Sequence, residues 1–235
     1  IEEAIVHGFL ELVERDSVAI WWYNRIPRTG IELESFGHSW FRRVQDYYRS
    51  LDREITVLEI TSDLGIPTCV AISRSGPNDS ADLTLGFGAS FDFTNAVKRA
   101  LLEMSQLTPL ILERESTTSL TGLPEGVEIE DSWLRPTQNL PIQSVLNSSR
   151  IEYEKPPNDL LEECCNIATR HGLEIYYLDQ TREETGLPVV KVFAPALRPY
   201  WARFGPGRLY DVPVQMKWLD KSLLEERLNP AWLSL

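Results

Sequence analysis

Glu3, His7, Glu11 and Glu14 recur at the three- and four-residue spacings of an α-helix. At about 100° per residue they share one narrow stripe, while Ile5, Phe9, Leu12, Val13 and Ile20 occupy a separate broad apolar face. Glutamates three apart on a helix repel each other in water, so the stripe is neutral or costly until a cation satisfies it. Magnesium holding phosphate oxygens would do so. A plain solvated acidic face is the competing reading, and spacing alone weighs the two evenly. Asp16 counts against it. This residue projects into the apolar sector between Leu12 and Phe9, where a charge is expensive unless paired, and Arg15 is badly placed to reach it. A partner from another segment is expected.

A second stripe places Arg99, Glu103 and Gln106 at i, i+4 and i+7, opposite Val97, Ala100, Leu101 and Met104. Facing the first stripe, Glu103 would join Glu11 and Glu14 as three carboxylates for one magnesium ion, phosphate oxygens and water completing its shell. The alternative is an exposed Arg99–Glu103 salt bridge. Near the C-terminal end, Arg198, Arg203 and Arg208 are separated by glycine and proline. Their guanidinium forks suit phosphate oxygens or a structural pairing with acids such as Asp211. His7 is a general base or a bystander on the acidic stripe, and His38 and His171 sit at element ends as surface or capping residues. Gly86-Phe87-Gly88 is too short for a phosphate loop, and neither a Walker A pattern nor a dinucleotide fingerprint occurs. Spacing picks out no Ser-His-Asp, Cys-His or zinc arrangement.

The elements that must position these groups follow from hydrophobic period. A helix is expected over 3–24, anchored by Trp21-Trp22-Tyr23, then a loop at 27–30 and a helix over 39–51 burying Trp40, Val44, Tyr47, Tyr48 and Leu51. Runs at 54–61, 67–74 and 83–90 are rich in β-branched residues and read as consecutive strands. A helix over 93–106, capped by Thr94 or Asn95, carries the second stripe. Residues 113–157 are polar and poorly periodic, long for a structureless loop, and read as a lid or a substrate-facing segment. A helix over 158–171 ends at Gly172, strands follow at 173–179 and 187–194, and a short helix is expected at 221–227. The fold class is α+β, with mixed sheets flanked by helices in one domain.

Composition bounds the function. With 235 residues and 43% hydrophobic content a proper core is within reach. A net charge of -12 and a pI near 4.8 argue against nucleic acid and anionic membranes as partners. Cys69, Cys164 and Cys165 form neither a metal spacing nor an even disulfide framework, so they read as core or helix-face thiols in a reducing compartment. No apolar run is long enough to span a bilayer, and no leader opens the chain, so a cytoplasmic location is expected. Ile1 stands in the body of a helix with no cap before it, and preceding sequence is expected.

Gly8-Phe9-Leu10-Glu11-Leu12-Val13-Glu14-Arg15-Asp16 with Trp21-Trp22-Tyr23-Asn24-Arg25, and Thr61-Ser62-Asp63-Leu64-Gly65-Ile66-Pro67, resemble the YcaO family. So do Gly86-Phe87-Gly88-Ala89, Arg99-Ala100-Leu101-Leu102-Glu103-Met104-Ser105-Gln106, Asp179-Gln180-Thr181-Arg182, Gly186-Leu187-Pro188-Val189-Val190-Lys191-Val192 and Gly207-Arg208-Leu209-Tyr210-Asp211-Val212-Pro213. More narrowly, the chain resembles the cyclodehydratases of azoline-forming peptide pathways.

The resemblance implies a YcaO-like domain over 1–235 that lacks the family's N-terminal part, and ATP-dependent backbone chemistry on a ribosomally made precursor peptide. A Cys, Ser or Thr side chain attacks the preceding amide carbonyl, ATP phosphorylates the oxyanion, and loss of phosphate leaves a thiazoline or oxazoline. It also implies Mg2+ and ATP at Glu11, Glu14, Glu103 and Gln106, with Mg2+ on the three glutamates, and assistance from Arg114 and one of Arg203 or Arg208. Positioning and charge neutralisation are what phosphoryl transfer asks for. The implied partners are the precursor peptide and an E1-like leader-binding protein, with a homodimer left open. The family's proline-alternating tail is replaced here by Asn229-Pro230-Ala231-Trp232-Leu233-Ser234-Leu235. Thioamide formation, support of a ribosomal-protein modification, and a non-catalytic scaffold for a peptide or partner are the competing readings.

Overall fold

The computed structural model describes residues 1–75, 83–112, 131–142, 144 and 156–233. Helix α1 runs over Glu2–Asn24. Its first half buries one face through Ile5, Val6, Phe9, Leu10 and Val13, and from Asp16 to Asn24 every residue is buried. The helix therefore changes from amphipathic to fully internal halfway along, and its Trp21, Trp22 and Tyr23 stand in the core without solvent contact. Trp22 donates from Nε1 to the Ala231 carbonyl at 2.6 Å, tying the helix to the C-terminal segment.

Five strands form one mixed sheet: β1 (Gly30–Glu32), β2 (Glu54–Glu59), β3 (Thr68–Arg74), β4 (Leu83–Ala89) and β5 (Asn139–Pro141), in the order β4-β3-β2-β1-β5. The pairs are antiparallel except β1 with β5. Alternation along β3 sends Val70 and Ile72 to the α1 side, and Cys69 and Ala71 to the side of α3 (Phe93–Leu112). Helix α2 (Ser39–Ser50) packs beside β2 and its N-cap is His38, whose Nδ1 accepts the Trp40 N–H. Helix α4 (Pro157–Arg170) covers the first half of α1 through Cys164 and Ile167. A separate hairpin of β6 (Tyr176–Asp179) and β7 (Val190–Phe193) lies on α1 at Gly8, where a Cβ would stand 2.5 Å from Val192 Cγ2. Helix α5 (Arg208–Gln215) closes the α1 side of the sheet with Leu209 and Val212.

The expected α+β class with a mixed sheet is observed, and several boundaries differ. On α2 it is Phe41 and Tyr48 that are buried, whereas Tyr47 is 56% exposed. Trp40 and Val44, expected on the buried side, pack partly buried against the same cluster, and Tyr48 Oη bonds Thr108 Oγ1 at 2.6 Å. The cap of α3 is Asp92, whose Oδ1 accepts the Asn95 N–H, and the helix continues past Gln106 through Pro109. Within the expected unstructured stretch, residues 132–134 form a 3-10 turn and β5 pairs with β1. Leu173 and Ile175 pack against the α1–α4 cluster ahead of β6, so that strand is shorter than expected. The helix expected at 221–227 is a single 3-10 turn, Glu225–Arg227, and the tail helix lies at α5 instead. No described helix is long and apolar enough to cross a membrane.

Candidate functional site

Two glycines set how closely α3 approaches the sheet. A Cβ on Gly86 would stand 2.1 Å from Met104 N and 2.4 Å from Ala100 O, and one on Gly88 would stand 2.3 Å from Ala96 O. Only backbone without side chain fits at these two positions, so α3 lies directly on β4. Gly86-Phe87-Gly88 is thus a helix seat. Among the described strands β4 is the edge of its sheet, and its outward N–H groups meet no described strand. Glu103 of α3 takes the Phe87 N–H with Oε2, and Glu14 of α1 takes the Ala89 N–H at 2.9 Å.

The two polar stripes accordingly face one another. A cleft of about 780 Å3 is lined by Glu3, His7, Glu11 and Glu14 of α1 and by Arg99, Leu102, Glu103 and Gln106 of α3, with Pro188, Val189 and Val190 of the hairpin as its third wall. Glu14 is partly buried, and that desolvation together with the nearby Glu103 charge pushes its carboxyl up to about 8, against the Ala89 hydrogen bond. Burial raises Glu103 as well, opposed by the Phe87 N–H and Arg15. Glu11 is exposed and paired with Arg15, which donates from Nε at 3.2 Å and stacks over the Tyr200 ring. Glu103 makes no pair with its i−4 neighbour Arg99, which instead lies 3.4 Å from His7 Nδ1.

Among the described residues no three His, Cys, Asp or Glu side chains stand in metal-holding geometry. The chemistry of the donor set still fits a divalent cation. Three carboxylates border one cleft, and two of them are held protonated more readily than usual by burial and mutual repulsion, a strain that a bound cation relieves.

The other anticipated residues lie elsewhere. Arg208 does not line the cleft. Its Nη2 contacts Asp16 Oδ2 and Asp63 Oδ1, each at 2.6 Å, and its Nε bonds Asp16 Oδ1 at 2.9 Å. Burial alone would lower the Arg208 pKa, but hydrogen bonds and charge from the two aspartates raise it. The partner expected for buried Asp16 is therefore Arg208, supported by the Arg198 N–H at 2.9 Å, and Asp211 is not the acid Arg208 takes. Arg203 is exposed on the 199–207 loop, near the Trp201 ring and off the cleft. Arg114 lies outside the described residues. The sequence places Asp63 and Pro188-Val189-Val190 in family-like motifs without a role; Asp63 also meets His171 Nδ1 at 3.3 Å, and the Pro188-Val189-Val190 segment walls the cleft. Both reach their places through long-range packing that no local period signals.

Residues 1–198 match the family description YcaO cyclodehydratase, ATP- and Mg2+-binding. The chain belongs to the YcaO family. A solved heterocyclase in complex with substrate and cofactor superposes over 100% of this chain and 32% of its own, with a TM-score of 0.86 and 39% identity. The heterocyclase TruD aligns over 98% of this chain and 32% of its own, with a TM-score of 0.79 and 39% identity. YcaO from Methanopyrus kandleri, bound with AMPPCP and Mg2+, covers 85% of this chain and 54% of its own, with a TM-score of 0.59 and 26% identity. This chain thus spans about a third of the two heterocyclases.

Proposed function

We propose that this chain is the nucleotide-handling YcaO-like domain, over 1–235, of an ATP-dependent cyclodehydratase that converts Cys, Ser or Thr of a ribosomally made precursor peptide to thiazoline or oxazoline. The observation that carries the reading is the convergence of Glu14 and Glu103, from helices far apart in sequence, on adjacent N–H groups of one strand edge inside a single cleft. The family and its heterocyclase relatives supply the reaction class.

In this reading Glu11, Glu14 and Glu103 hold Mg2+, and Gln106 offers its amide to the nucleotide. Bound ATP supplies the phosphoryl group that turns the amide oxygen into a leaving group. The chain's own contribution is placement: the glycine seat fixes α3 against β4, and the strand edge pins one oxygen each of Glu14 and Glu103 while leaving the other. Arg208 belongs to the buried Asp16–Asp63 network, Arg203 lies off the cleft near Trp201, and Arg114 lies outside the described residues. The partners proposed are the precursor peptide and an E1-like leader-binding protein.

The test is incubation of the chain with Mg-ATP, a leader-bearing peptide with cysteines in its core, and the leader-binding partner. One water lost from the peptide per phosphate released is expected; unchanged peptide mass with every component present contradicts the reading. A non-catalytic scaffold is the second reading, favoured by the Glu11–Arg15 ion pair, which takes up one carboxylate of the α1 stripe. Nucleotide-dependent melting separates the two, since ligand at a hundred times its dissociation constant stabilises by about 2.7 kcal/mol.

A further inference from the structure

Arg99 and His7 reach each other from the two helices that wall the cleft, with Arg99 Nη2 3.4 Å from His7 Nδ1. A guanidinium has only donors, so Nδ1 is the acceptor in this contact and the His7 proton sits on Nε2. The pair therefore presents one imidazole N–H and the remaining guanidinium N–H groups as donors.

The charge inventory of the cleft makes Arg99 distinctive. Its described lining contains four carboxylates, on Glu3, Glu11, Glu14 and Glu103, and Arg99 is the one cationic side chain among those lining residues. No described carboxylate forms an ion pair with it, because Glu103, its i+4 neighbour, turns to the Phe87 N–H. A polyphosphate entering such a cleft meets strong repulsion. A divalent cation answers the carboxylates, and phosphate oxygens turned away from that cation need another positive group. A guanidinium fork matches them in charge and shape.

We propose that Arg99 binds the polyphosphate of the nucleotide, with His7 as the positioning residue that holds its guanidinium across the cleft. The assignment rests on the nucleotide reading above. It is tested by titrating Mg-ATP and AMP calorimetrically into the unaltered chain and into Arg99→Gln, Arg99→Lys, His7→Gln and His7→Leu. Arg99 is exposed on α3, so Arg99→Gln is expected to melt with the parent. Its ATP affinity is expected to fall about tenfold or more, with AMP affinity changed much less, and Arg99→Lys to recover part of the loss. His7→Gln keeps an acceptor for Arg99 and is expected to bind ATP better than His7→Leu. Equal ATP binding by Arg99→Gln and the parent, or equal losses for ATP and AMP, overturns the assignment while leaving the nucleotide site standing. Failure of the unaltered chain to bind any nucleotide overturns the nucleotide reading itself, and this assignment with it.

Discussion

Glu14 of α1 accepts the Ala89 N–H at 2.9 Å, two residues along the same strand edge from the Phe87 N–H that Glu103 of α3 accepts. Two acids that are 89 positions apart in sequence thus share one edge of β4, each accepting an N–H that no described strand takes. The arrangement satisfies the edge and at the same time concentrates negative charge in a cleft.

That crowding has a consequence for the metal-free protein. Glu14 is raised from 4.5 to about 8 by burial and by Glu103, with Glu11 adding to the shift and Arg99 and the Ala89 N–H opposing it. The folded state therefore holds the proton more tightly than the unfolded chain. Its stabilising contribution is complete below about pH 4.5 and is lost as pH rises toward 8. Urea midpoints measured in chelator are expected to fall between pH 5.5 and 8.5, and Glu14→Gln, which keeps an acceptor for Ala89, to flatten that slope. A Glu14→Gln slope equal to the parent's contradicts the expectation.

The glycine seat gives a steric expectation. At Gly86 and Gly88 an added methyl meets helix backbone, whereas at Gly8 it meets the movable end of Val192. Gly86→Ala and Gly88→Ala are expected to cost about 1–3 kcal/mol or more, and Gly8→Ala less, in chemical denaturation. The same two variants are expected to weaken nucleotide binding, because Glu103 retreats with α3; full binding by a destabilised Gly88→Ala would separate the seat from the site.

Arg208 is expected to act on stability. Asp16 is fully buried and depends on its fork, with Asp63 as the second acid. Arg208→Gln is expected to cost about 3–5 kcal/mol by leaving Asp16 uncompensated. Asp16→Asn in the Arg208→Gln background is expected to cost far less than in the parent, a coupling that a double-mutant cycle of unfolding energies reads directly. Additive costs would show that the two do not act as a unit.

Much of this was legible in the residues, and the limits are physical. The α1 and α3 stripes follow from helical periodicity, and the three antiparallel strands from runs of β-branched residues between turn residues, β3 and β4 being buried on both faces. Asp16 announced a distant partner by its place in the apolar sector, but local pattern could not say that Arg208 would be the one, since they are joined only when α5 docks on α1. Helix α5 escaped notice because Gly207 and Pro213 read as loop residues. Tyr47 is exposed because it stands about 100° from Tyr48, at the margin of the face that Trp40, Phe41, Val44 and Tyr48 turn to the core. The hairpin wall of the cleft depends on the contact of Val192 with Gly8, a packing relation invisible to either segment alone.

The central claim is that the facing acid stripes form a magnesium-dependent nucleotide site, and calorimetric titration of AMPPCP into the chain tests it most directly. Glu103→Gln is the informative variant, because its amide oxygen still accepts the Phe87 N–H while the charge is gone. The account expects binding by the parent with Mg2+, none in chelator, and a loss of about tenfold or more in Glu103→Gln at unchanged melting temperature. Binding that is indifferent to Mg2+, or equal in Glu103→Gln and the parent, contradicts it.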